Sequence, residues 1–207
     1  MNDIILGVDM FFKVALTCFV CFTIVVHAAE KRPEEWAKPL KLQGVPNFHK
    51  VDNKLYRSAQ PTSEGMKNLQ KYGIKTVINL RGFHSDKDEI GELKLKQFHI
   101  PINTWHIKDE HAVKFLEIVS NPENQPVLVH CQHGADRTGT MCAVYRIVVQ
   151  GWSKKQALKE LKDGGYNYHS MWVNLIKWIN RTDMDKIGKA AGIRKSVSSP
   201  GEGVVKR

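Results

Sequence analysis

The run Val127-Leu128-Val129-His130-Cys131-Gln132-His133-Gly134-Ala135-Asp136-Arg137-Thr138-Gly139 restricts what this chain can fold into more than any other stretch. Val127 to Val129, just after Pro126, are apolar and mostly β-branched, which predicts a buried strand. From Thr138 onward Met141, Cys142, Val144, Tyr145, Ile147 and Val148 recur at helical spacing as far as Gly151, a residue suited to the turn after a helix. Small and polar residues join the two. A loop entering a helix in this way aims backbone N–H groups and the positive end of a dipole at one point, which suits an anion and phosphate above all. The same field stabilises a thiolate over a thiol, and this makes Cys131 the candidate nucleophile. Arg137 carries a rigid fork of donors that can grip two phosphoryl oxygens. Gln132, His133, Gly134, Ala135, Thr138 and Gly139 complete the candidate substrate-binding loop. Thr138 can donate to the sulfur, and the glycines permit a tight backbone path.

Around this stretch the pattern alternates strands with helices. A hairpin is expected from Phe48–Val51 and Lys54–Arg57 about an Asp52-Asn53 turn. A helix capped by Thr62 or Ser63 follows and stops at Gly73, then a strand from Ile74 to Leu80. The charged run Asp86 to Lys96, with Ile90, Leu93 and Leu95, predicts an amphipathic helix, and Phe98 to Ile102 a further strand. Asp109 or Glu110 opens a helix through Val119. After the central helix, Ser153 with Gln156 forms a capping box that starts another, closed by Gly164-Gly165, and Ser170 caps a last one carrying Trp172, Leu175, Ile176 and Ile179. This alternation implies an α/β fold with a mostly parallel central sheet flanked by helices on both faces. Ligands of such sheets bind beyond the carboxyl ends of the strands, where His130-Cys131 falls.

The termini read differently. Lys13, the apolar run Val14 to Val26 and the exit His27-Ala28-Ala29 read as a signal peptide over residues 1–28, so the protein is expected to be exported, periplasmic or secreted. An uncleaved membrane anchor is the alternative, although the apolar run falls short of the ~20 residues that span a bilayer. Residues 29–44 are expected to be a linker, 45–187 one domain, and 188–207 a basic, disordered tail. The formal charge of +10 favours phosphorylated or otherwise anionic partners. Lys and Arg are scattered without an aromatic stripe, so no nucleic-acid partner is expected. The sequence is silent on oligomeric state. Cys142 lies in the apolar stripe of its helix and reads as core filler.

His130-Cys131-x-x-Gly134-x-x-Arg137-Thr138-Gly139 resembles the signature loop of the cysteine-dependent protein tyrosine and dual-specificity phosphatases. Leu55-Tyr56-Arg57-Ser58-Ala59-Gln60-Pro61, Gly73 to Arg81 and Tyr145 to Trp152 are similar to a bacterial, often exported, dual-specificity-like branch, and the likeness spans about residues 45 to 180. The resemblance implies phosphomonoester hydrolysis through a phosphocysteine, on a phosphorylated protein or, alternatively, a phosphoinositide or inositol phosphate. It implies no metal or other cofactor. A phosphate-binding module without turnover is a further alternative. Enzymes of this kind carry an aspartic acid in the loop before the cysteine strand, but Asn103, Thr104 and Trp105 stand nearest that place here. Asp109, at the following helix start, and Asp136, next to Arg137, are the candidates for the general acid. His106 is a further one. His130 either tunes the sulfur or packs as a core histidine, and Arg81 either is solvated or faces the same sheet edge.

Overall fold

A computed structural model of the protein describes residues 32–193. The expected signal peptide and residues 194–207 of the expected tail lie outside the described residues.

Six strands form one sheet: β1 (Lys38–Pro39), β2 (His49–Lys50), β3 (Leu55–Ser58), β4 (Thr76–Arg81), β5 (Lys96–Ile102) and β6 (Val127–His130), in spatial order β1-β2-β3-β6-β4-β5. β2 runs antiparallel to both its neighbours, β1 and β3, while β3, β6, β4 and β5 are mutually parallel. The register brings Ser58, His130 and Asn79 level across three strands. Carboxyl ends of the parallel strands therefore open onto one edge, with Cys131 at its middle.

Among the described residues, seven α-helices flank the sheet: α1 (Ser63–Tyr72), α2 (Lys87–Ile90), α3 (Asp109–Ser120), α4 (Asp136–Val148), α5 (Lys154–Asp163), α6 (Val173–Arg181) and α7 (Met184–Ala190). Alternation along the strands builds a core on each face. Val127 and Val129 of β6 join the larger core with Phe115, Leu116, Met141, Val144 and Ile179 from the α3–α7 layer. Leu128 points the other way, with Met66 and Leu69 of α1 and Ile90 of α2. Cys142 is buried in the larger core as expected, and both described cysteines are free thiols. Helix ends follow the capping residues: Thr62 Oγ1 accepts from the Gly65 N–H, Gly73 takes the left-handed φ of 103°, and Ser153 and Gln156 form the capping box of α5.

Four expectations change. Only Lys87–Ile90 of the charged run is helical, because Gly91 turns the chain at φ 51° and Lys96 already enters β5. Ser170 does not cap α6, which begins at Val173. The domain does not end at residue 187. Met184–Ala190 is a helix whose Met184, Ile187 and Gly188 are buried, with Asp183 Oδ1 accepting from the Asp185 and Lys186 N–H groups as its cap. Residues 32–44, expected as a linker, pack onto the domain: Ala37 is 1% exposed, and Arg32 donates to the carbonyls of Ala37 and Gly164. Charge misled the reading at both ends, because Arg32 finds buried acceptors and α7 buries one apolar side while its lysines face out.

Candidate active site

The chain leaves β6 at His130, and residues 131–135 make a turn that leads into α4. Cys131 is 1% exposed, at the floor of this turn. Gly134 sits at φ 68°, and a Cβ there would come within 2.5 Å of the Ser58 and Ala59 backbone, so the close approach of loop to β3 requires glycine. Arg57, on β3, fixes the loop from behind: its Nη2 donates to the Gly134 carbonyl at 2.7 Å, and its guanidinium lies 3.6 Å from the centre of the buried Tyr166 ring. Asn47 Nδ2 donates to the His133 carbonyl at 3.0 Å, and the Gln60 N–H donates to the Gln132 carbonyl. The carbonyls of Gln132, His133 and Gly134 are thus all engaged by donors from outside the loop.

Arg137 contacts the Ile102 carbonyl at 3.4 Å, and its Nε has no protein partner. The Thr138 hydroxyl is buried and bonds to no side chain or carbonyl, so the expected bond to the sulfur is not made. These donors suit an incoming phosphoryl group.

Below the loop a polar chain runs away from the nucleophile. His130 is fully buried, and its Nε2 pairs with Asp86 Oδ2 at 2.8 Å. Asp86 Oδ1 accepts from Gln60 Nε2, and Gln60 Oε1 accepts from Arg81 Nη1, so Arg81 does face this sheet edge. Burial alone would raise the Asp86 carboxyl, but the His130 hydrogen bond and charge, with the Gln60 bond, hold it below the ordinary carboxylate range.

Above the loop is a cleft of about 360 Å³ lined by Gln132, His133, Asp136 and Arg137 on one side, with Gly82 and Phe83, the Ile102–Trp105 segment, and His169, Met171 and Trp172 around it. Asp136 belongs to this cleft. Its Oδ1 accepts the His169 backbone N–H at 2.9 Å and its Oδ2 pairs with His169 Nδ1 at 2.8 Å. Asp109 does not belong to it: its Oδ1 accepts from Trp178 Nε1 at 3.1 Å, and it lines a separate groove with Glu110, Lys186 and Ile187. In the loop after β5 Asn103 pairs with His106, and the start of α3 lies outside the cleft lining. His106 is exposed and absent from the cleft lining.

Sequence reading missed His169, Asp86 and Arg57. Arg57 stands in a stretch already notable for its likeness to phosphatases, but nothing local marks His169, whose partner is 33 positions away. Two groups of potential metal donors occur among the described residues, His133–Asp136–His169 and His84–Asp86–Glu89. Carboxylate–imidazole pairing already accounts for both, through Asp136–His169 in one and through Asp86–His130 and His84–Glu89 in the other.

The family described as "DSP-PTPase phosphatase fused to NAD+ Kinase" matches residues 37–171 of this chain. The dual specificity protein phosphatase TpbA of Pseudomonas aeruginosa is 32% identical over 166 residues, which cover 77% of this chain and 74% of that protein. A crystal structure of P. aeruginosa TpbA in complex with pTyr superposes with a TM-score of 0.69 at 29% identity, covering 78% of this chain and 98% of that one. The inositol diphosphatase SIW14 of Saccharomyces cerevisiae is 30% identical over 125 residues, or 56% of this chain and 44% of that protein.

Proposed function

This chain belongs to the DSP-PTPase phosphatase family, and on that premise we propose that its substrate is phosphotyrosine in protein segments with apolar residues beside it. It is a cysteine-dependent phosphatase. The Cys131 thiolate attacks phosphorus in line, and the P–O bond to the leaving group breaks as the P–S bond forms. Arg137 and the loop N–H groups hold the three equatorial oxygens through the transition state. Water then displaces the sulfur and releases phosphate.

The observation that carries the substrate reading is the composition of the cleft mouth. Phe83, Met171 and Trp105 are 92%, 73% and 67% exposed, and all three line the cleft. Exposed apolar side chains gathered at one site mark a contact surface. They fit a phenyl ring and its apolar neighbours. Arg137 is the sole Lys or Arg among the lining residues, whereas an inositol ring with several phosphates calls for several cations.

The test is phosphate release from a panel of phosphotyrosine, phosphoserine and phosphothreonine peptides and inositol phosphates by residues 29–207. Phosphotyrosine peptides are expected to give the highest kcat/KM, with Phe83→Ala and Trp105→Ala raising KM, and Cys131→Ser is expected to release none. Faster turnover of inositol phosphates refutes the substrate reading. Export is part of the proposal, supported by Lys13 and the apolar run after it. Recovery of a chain beginning at residue 29 from outside the cytoplasm is the expected result, and a full-length cytoplasmic chain refutes it.

A further inference from the structure

The leaving oxygen of a phosphate ester needs a proton. Asn103, Thr104 and Trp105 supply no carboxylate to the cleft, and Asp109 is held outside it by Trp178. Besides Arg137, the ionisable side chains that line the cleft are His133, Asp136 and His169. Asp136 is 6% exposed, and both of its oxygens are engaged as acceptors by His169. With one oxygen taken by the His169 backbone N–H and the other by the imidazole, Asp136 has its acceptors turned to His169 and not to the cleft. The His169 side chain is 45% exposed, and no protein hydrogen bond is made by its Nε2 among the described residues. We propose that His169, oriented by Asp136, is the general acid of the first step and the general base of the second. The proposal rests on the reading of Cys131 as the phosphatase nucleophile.

Asp136 gives the imidazole what a buried carboxylate gives the histidine of a hydrolase triad: it binds Nδ1–H and so fixes the tautomer and the ring orientation. Nε2 is then the nitrogen that exchanges protons. When the P–O bond breaks, the Nε2–H proton passes to the leaving oxygen, and the imidazolium becomes neutral imidazole. In the second step the Nε2 lone pair takes a proton from water while the water oxygen bonds to phosphorus and the P–S bond breaks. Thiolate and imidazolium are both restored, and the net reaction is ester plus water to alcohol plus phosphate. The groups facing His169 are Asp136 and Arg137 at the start of α4, His133 on the loop, whose ring centre is 5.5 Å away, and Tyr168 beside it. Its sequence position, between α5 and α6, explains why a search near the cysteine strand does not find it.

The test is a series of phenyl phosphates graded in leaving-group pKa, with phenyl and alkyl phosphates at the poor end, run on the wild type, His169→Gln, Asp136→Asn, His133→Gln and Cys131→Ser. General acid catalysis supplies about 10²–10⁴-fold. His169→Gln is expected to lose about that factor on the poorest leaving groups and far less on 4-nitrophenyl phosphate, so the dependence on leaving-group pKa steepens. Asp136→Asn is expected to steepen it as well, and His133→Gln not. The pH–kcat limb due to the acid is expected to vanish in His169→Gln. An equal loss on every substrate with an unchanged slope makes His169 structural and overturns the proposal. So does steepening in Asp136→Asn or His133→Gln without steepening in His169→Gln. Turnover that survives in Cys131→Ser overturns the phosphocysteine reading instead, and it is told apart by that variant alone.

Discussion

Replacing Glu160 by glutamine tests how the domain holds the helix that carries the site. Glu160, on α5, is buried, and its carboxylate takes four hydrogen bonds. Oε2 accepts from Arg146 Nε at 2.8 Å, and Oε1 accepts from Arg146 Nη2 at 2.8 Å, the Ala37 N–H at 2.7 Å and the Tyr166 hydroxyl at 3.0 Å. One side chain thus ties α4 to α5, to residue 37 and to the tyrosine that backs Arg57. In Glu160→Gln an amide NH₂ replaces an accepting oxygen opposite the buried Arg146 guanidinium, which keeps its charge. Removing one partner of a buried ion pair costs about 3–5 kcal/mol. For a domain of this size, each kcal/mol shifts Tm by about 2–4 °C, so a fall of roughly 6–20 °C is expected. Urea and thermal unfolding followed by circular dichroism at pH 7 measure both quantities. Burial by itself would raise the Glu160 carboxyl, but the hydrogen bonds and charge of Arg146 outweigh it and place the group below its usual value. A depressed folded-state pKa contributes stability above the unfolded value of about 4.5, which is lost as pH falls through the folded value. The gap between wild type and variant is therefore expected to narrow in acid. A loss under 1 kcal/mol at pH 7, or a gap that does not narrow at low pH, refutes the reasoning.

Gly134→Ala places a Cβ against the Ser58 and Ala59 backbone in a left-handed conformation; displacing the loop by about 1 Å is expected to lower kcat/KM about a hundredfold, measured on aryl phosphate. Asp86→Asn removes the charge that faces buried His130 and is expected to cost about 1–3 kcal/mol in urea unfolding at pH 7. Because the Asp86 carboxyl is depressed, that cost is expected to shrink as pH falls, and a constant difference counts against the pairing. Cys142 is enclosed by the larger core, and burial pushes its thiol up to about 11. Iodoacetamide at pH 8 is expected to leave Cys142 unlabelled in the folded protein, read by peptide mass spectrometry.

The strand–turn–helix unit around Cys131 was legible because it is local. Strand, loop and helix N-terminus follow one another within 13 residues, so chain direction alone puts Cys131 and Arg137 on one strand–turn–helix unit. Sheet class was legible for a similar reason, since Val127, Leu128 and Val129 are apolar on both faces, as a strand covered on both sides must be. Elements with mixed signals were read less well. The run from Asp86 has helical spacing, but Gly91 breaks it after one turn and Asp86 turns inward to His130 instead of facing water. Met184–Ala190 was lost between lysines because a seven-residue helix shows barely two turns of apolar spacing.

What surrounds the cradle comes from distant segments, and periodicity carries no trace of it. Arg57 reaches Gly134 across 77 positions, Asp86 reaches His130 across 44, and His169 reaches Asp136 across 33. These contacts divide by task. Arg57, on β3, and Asp86, at the start of α2, bond to the loop and to the strand end before it from behind and below. His169, Met171 and Trp172 lie in the segment before α6, Trp105 in the loop after β5, and Phe83 in the turn after β4. These connections form the wall of the cleft but do not build the cradle. Substitution at Phe83, Trp105 or Met171 can therefore change which phosphorylated group enters without moving Cys131 or Arg137. The Asp136–His169 pair joins the two parts, because its carboxylate belongs to the loop–helix junction and its imidazole to the cleft wall.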